Sequence, residues 1–104
     1  MTHKVYILSD GGHDYHDATR YGELVFLAIP SAAKWDIAQL YDTIKEGMQE
    51  ASEEDYLIIS HLTSVCCVAT AILVEWFGQV NFLIYRHDKY EHKKLVLNTQ
   101  VVHD

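Results

Sequence analysis

A chain of 104 residues with 49% hydrophobic and 22% charged residues, one Pro and five Gly is sized for one domain around one core, and its composition excludes disordered, collagen-like and linker-rich architectures. Fifteen acidic residues against eight basic ones leave a formal charge of −7 with His neutral. Such a chain lacks the basic face that grips a nucleic-acid backbone, so no backbone binding of that kind is expected.

Along the chain, Val5-Tyr6-Ile7-Leu8 is short, β-branched and aromatic and runs into Asp10-Gly11-Gly12, the turn chemistry of a strand end. After a polar stretch, residues 23–29 form a nearly continuous apolar run closed by Pro30, as expected of a strand covered on both faces. From Trp35 to Ala51, Ile37, Leu40, Tyr41, Ile44, Met48 and Ala51 recur every three or four residues, with Asp36, Asp42, Lys45, Glu46 and Glu50 opposite. This predicts an amphipathic helix that begins either at Ala32 behind a Ser31 cap or at Trp35. Tyr56-Leu57-Ile58-Ile59-Ser60 gives a third strand. Residues 62–77 then predict a second helix, apolar on nearly every side and therefore wrapped in protein, with Gly78 just past its end. Residues 80–85 supply a fourth strand, 86–89 a polar turn, and 94–97 a short edge strand.

Two successive βαβ units result, and such crossovers are overwhelmingly right-handed. The expected fold is a small three-layer, Rossmann-like α/β domain, with a mostly parallel sheet of four or five strands and two main helices. The connection between the first two strands either closes a wide hairpin or holds one helical turn. An all-apolar helix in so small a domain also implies a homodimer, unless the helix lies between the sheet and residues 10–22. Trp35, Trp76 and Phe77 read as core or interface anchors.

Cys66 and Cys67 are neighbours on a helix and too few for a disulfide scaffold, so both are expected free and the compartment cytoplasmic. The run at 5–8 is shorter than a signal-peptide core. The stretch 62–77 carries Thr63, Ser64, Thr70 and Glu75 and falls below the about 20 residues that span a bilayer, so no membrane anchor is expected.

The densest set of functional groups is Asp10-Gly11-Gly12-His13-Asp14-Tyr15-His16-Asp17, at the C-terminal end of the first strand, the rim where open α/β sheets bind ligands. If these residues form a helical turn, His13, His16 and Asp17 share a face and can ligate one divalent ion. In the simpler reading, Asp and Gly make the turn, an Asp caps a short helix and the histidines are solvated. HExxH, EF-hand, Walker A and GxGxxG spacings are absent. Ser60-His61-Leu62-Thr63-Ser64 precedes the second helix on the same rim, where hydroxyls and free amides suit an anion, or where Ser60 or Thr63 simply caps the helix. Asp10, Gly11, Gly12, His13, Ser60, His61, Thr63 and Ser64 are thus the candidate ligand-binding residues. Asp42, Glu46, Glu50, Glu53, Glu54 and Asp55 form an acidic stripe, either a solvated face or a dock for a basic partner. His87, His92 and His103 read as exposed.

The opening from His3 to Tyr15, together with Leu62-Thr63-Ser64-Val65-Cys66, resembles short proteins of tailed bacteriophages. That resemblance implies a small acidic phage product that acts by binding and obstructing a host component. The resulting expectation is a non-enzymatic interaction protein without cofactor, engaging a host protein or a small anionic ligand through the strand rim or the acidic surface. The alternative is a divalent-metal-dependent phosphoester hydrolase with His13, His16 and Asp17 as ligands and Asp10 or His61 as base.

Overall fold

The computed structural model describes residues 3–8, 14–30, 35–60 and 63–97. In chain order the elements are β1 (Lys4–Ile7), a 3-10 helix η1 (His16–Arg20), β2 (Glu23–Phe26), α1 (Ile37–Gly47), β3 (Tyr56–Ile58), α2 (Thr63–Phe77), β4 (Gln79–Arg86) and β5 (Lys89–Val96). They form one five-stranded sheet in the order β2-β1-β3-β4-β5.

The sheet is mixed, a correction to the mostly parallel sheet expected. Parallel registers join β1 to β2, β1 to β3 and β3 to β4 over four, two and three residue pairs, whereas eight antiparallel pairs join β4 to β5. The physical reason is the turn between the last two strands. His87 and Asp88 have φ of 55° and 65°, the left-handed pair of a two-residue type I′ turn, whose twist matches a tight hairpin. His and Asp are among the few non-Gly residues that tolerate this region. Lys89, expected in the turn, and residues 90–93, ahead of the expected strand at 94–97, are therefore strand, and β5 is eight residues long rather than four.

The connection from β1 to β2 holds one short helix and leaves the strands parallel. β2 is not covered on both faces. It is a four-residue edge strand with exposed ends, because β1 lies between it and β3. α1 starts later than expected, at Ile37, where the Asp36 carboxylate accepts the Gln39 amide at 3.2 Å, and Trp35 is 91% exposed and so is not a core anchor.

Alternation along the strands sorts side chains between two cores. Tyr6, Leu8, Leu57 and Val80 lie beneath Leu40, Ile44 and Met48 of the α1 side and Val65, Ala69, Ile72 and Leu73 of α2. On the opposite face Val5, Ile7, Ile58, Leu83 and Tyr90 are covered by Tyr15 and Ala18. The layers are therefore two helices, the sheet and a thin cover built on η1. α2 is not wrapped on every side: Ser64, Cys67, Ala71 and Glu75 are exposed, because α1 and the sheet reach only part of its circumference. Both cysteines are free, Cys66 buried and Cys67 exposed.

Two glycines have positional roles. A Cβ on Gly22 would overlap the His3 carbonyl, where the Glu23 amide donates to that oxygen at 2.8 Å to start the β1–β2 ladder. Gly78 ends α2 with φ of 70° and open space around it. Gly22→Ala must displace backbone, so a loss of about 1–3 kcal/mol is expected in urea denaturation. Gly78→Ala has only its left-handed φ against it, about 1–2 kcal/mol, and Gly78→Asn should lose less.

Candidate functional site

The described parts of the two rim segments leave adjacent strands. β1 and β3 pair directly and in parallel, with Val5 opposite Tyr56 and Tyr6 opposite Leu57, so their C-terminal ends share one rim. The chain leaves β1 toward β2 on one side and leaves β3 toward β4 on the other, which makes this a switch point in the strand order. Asp10, Gly11, Gly12, His13 and His61 lie outside the described residues. Ser60 is half-buried, and its amide donates to the Cys66 sulfur at 3.4 Å, holding the chain against α2. Ser64 is exposed in the first turn, and Thr63 contributes backbone as the first residue of α2.

His16 and Asp17 take different partners among the described residues. The Asp14 carboxylate accepts the His16 amide at 2.9 Å, an Asx turn that opens η1, and the exposed His16 carbonyl accepts the Thr19 hydroxyl at 2.6 Å. Asp17 points to β5. Its Oδ2 accepts the Tyr90 amide at 2.7 Å and its Oδ1 accepts Arg20 Nε at 3.3 Å. The Tyr90 carbonyl in turn accepts Arg20 Nη2 at 2.6 Å and the Tyr21 hydroxyl at 3.1 Å. Both oxygens of Asp17 are thus engaged, Oδ2 in joining η1 to an edge strand and Oδ1 within η1. Among the described residues no three His, Cys, Asp or Glu side chains gather as a metal would need.

Two polar residues that sequence patterning missed organise the other end of the sheet. Asp55, buried, accepts the Lys4 amide through Oδ1 and the Ser52 amide through Oδ2, each at 2.9 Å, tying the start of β1 to the turn before β3. Asn81, also buried, donates through Nδ2 to the Glu53 carbonyl at 3.1 Å and the Asp55 carbonyl at 3.3 Å. Its Oδ1 must then accept from His92 Nε2, 2.9 Å away, which fixes the imidazole tautomer. His92 is exposed, as expected, yet held, its ring edge-on to Tyr56 at 5.2 Å. No periodicity marks these residues, since Asp55 closes an acidic run and Asn81 interrupts an apolar one.

At that same end, α1 and α2 terminate side by side around a cleft of about 560 Å³. Trp76, Phe77 and Ala51 supply its apolar surface, and Asp42, Glu46 and Gln49 its polar rim, together with Lys45. The two rings meet edge to face at 6.1 Å and pack on the main core from below. The Lys45 ammonium sits over the Tyr41 ring at 5.3 Å. Neither Asp42 nor Glu46 has an ion-pair partner among the described residues. Helix C-termini carry partial negative charge, and α2 has no basic residue in its last turn to offset it. Carboxylates and helix ends therefore add to one negative potential over an aromatic floor.

The titration behaviour of three groups has the same structural origins. The Tyr90 amide holds the Asp17 carboxyl below its usual range, with help from Arg20, so what this group contributes is present at neutral pH and lost as pH falls below the ordinary carboxylate range. Burial pushes Tyr6 and Tyr90 up to about 12, Tyr6 further raised by the Asp55 and Glu50 carboxylates. Their contribution is complete below pH about 10 and is lost as pH climbs through 12. Absorbance titration should resolve two phenols ionising near 12 together with alkaline unfolding. Asp17→Ala should speed exchange of the Tyr90 amide by on the order of tenfold while leaving amides of α1 and α2 unchanged.

A family model described as phage Pam3 gp32-like protein matches residues 3–99. No curated protein and no solved structure matches the chain. Among the described residues no helix is long and apolar enough to cross a membrane.

Proposed function

The chain belongs to the phage Pam3 gp32-like family, and from that premise we propose that it is a non-enzymatic accessory protein that engages a host protein through its acidic face. One observation carries this reading. Asp42, Glu46, Glu50, Glu53 and Glu54 are all exposed on one flank, and among the described residues only Glu54 is ion-paired, with His3 at 3.8 Å. Unpaired surface carboxylates repel one another and steer a basic partner into contact, raising its association rate more than its affinity. The metal-hydrolase alternative finds no such support, since the Asp17 carboxylate is already engaged by the Tyr90 amide and Arg20.

Affinity purification from host cells tests the reading with wild-type bait, a Glu46→Lys/Glu50→Lys/Glu53→Lys bait and a His16→Ala bait. A protein retained by the wild type and by His16→Ala, released by moderate salt and lost with the reversed bait, is the expected result. A partner retained equally by the reversed bait, or divalent-metal-dependent phosphodiester turnover abolished by His16→Ala, would overturn it.

A further inference from the structure

We propose that the cleft between the ends of α1 and α2 is the recognition element of this face, and that it takes a basic amphipathic helix carrying one bulky apolar anchor. This rests on the acidic-face reading and deepens it. Asp42 and Glu46 are four residues apart on α1, hence one turn apart on the same side. A partner helix with two Lys or Arg one turn apart meets both carboxylates at once, and the side chain between them falls onto Trp76 and Phe77. Aromatic floors with charged rims are the usual anatomy of an anchor pocket, because the apolar contact supplies most of the binding and the excluded water strengthens the flanking charge pairs.

The electrostatics select among occupants. A second copy of this chain carries a net charge of −7 and would bring like charge to the rim. Nucleic acid is repelled for the same reason. Lys45 lines the same cleft with its ammonium over the Tyr41 ring, and its single charge offsets only one of the two carboxylates. The C-terminal carbonyl ends of α1 and α2 favour a cation on the same rim. Gln49, beside them, offers an amide able to donate to or accept from a partner backbone.

Trp76 reports on the cleft directly, since the chain has two tryptophans and Trp35 is 91% exposed. In a Trp35→Phe background, emission is followed on titration with a synthetic helical peptide bearing one Leu between two lysines a turn apart, free of Trp and Tyr. A saturable blue shift is expected, with affinity falling roughly tenfold in Asp42→Lys/Glu46→Lys and about as much when Ala51→Phe fills the cleft. Circular dichroism confirms that these surface and cleft variants fold. The Leu→Ala peptide should bind about tenfold more weakly, and the Lys→Glu peptide should leave emission unchanged. Unchanged emission with the Lys peptide, or equal response to the Glu peptide, overturns the cleft proposal. Loss on charge reversal with no effect of Ala51→Phe overturns the cleft while leaving the acidic face standing, whereas indifference to both variants removes the two together.

Discussion

Two helices must cover a sheet that has two faces, and the handedness of the crossovers sends both to one side. β2 to β3 and β3 to β4 progress in the same direction across the sheet, so right-handed connections place α1 and α2 on the same face. The reverse step, β1 to β2, carries its connection to the other face, where the described cover is the five residues of η1 with Tyr15 and Tyr21 beside them. That cover is too small to hold by apolar burial alone. It is held by Asp17, Arg20 and Tyr21, which take both the amide and the carbonyl of Tyr90 on β5. The same bonds remove a donor and an acceptor from an edge strand, where Lys89, Lys93 and Lys94 already discourage pairing with another chain. Ala18 is buried beneath this strap because a larger side chain would lift it from the sheet.

The opposite end of the sheet depends on polar groups placed inside it. Asp55 and Asn81 are buried, Asp55 satisfied by backbone amides and Asn81 by backbone carbonyls and the His92 ring, so neither leaves an unpaired atom. No buried side-chain nitrogen or oxygen lacks a partner among the described residues. A group deprived of such a bond costs about 1–3 kcal/mol, which is why these two residues fix the register of β1, β3 and β4 rather than merely decorating it. They act as a seam between the entry of β1 and the turn before β3. The aromatic group of Tyr21, Tyr56 and His92 closes over the seam.

Sequence patterning found the elements whose signal is periodic. The spacing of Leu40, Ile44 and Met48 marked α1, Gly78 marked the end of α2, and β-branched runs marked β1, β3 and β4. It misjudged β2, since a short apolar run reads alike at the edge or the centre of a sheet, and only strand order decides. It truncated β5, because an edge strand with a solvated face can be polar almost throughout, as Lys89 to Lys94 are. The neighbouring rims of the first and third strands were legible once the βαβ pattern was accepted. The bond by which Asp17 holds β5 was not legible, because its partner Tyr90 is distant in sequence and bonds through backbone atoms that no residue type advertises. The cleft was half visible: the acidic stripe and the Trp76-Phe77 pair both stood out, but nothing in their spacing announced that they meet.

Their meeting breaks a local rule of helix design. Acidic residues favour the beginning of a helix and basic ones its end, each by about 0.3–1 kcal/mol. Apart from its cap Asp36, α1 has no acid in its first turn, and it places Asp42 and Glu46 in its second half, with Glu50 following. Lys45 is the sole basic residue in its last turn, and α2 has none there. A helix pair shaped for stability alone would carry the opposite arrangement, with lysines around its closing carbonyls. Local rules broken without a structural gain mark the places where a surface is shaped for something outside the chain. Here the deficit is of positive charge, beside two aromatic rings rooted in the core, and a partner that brings a cation and an apolar side chain supplies what the isolated fold leaves wanting.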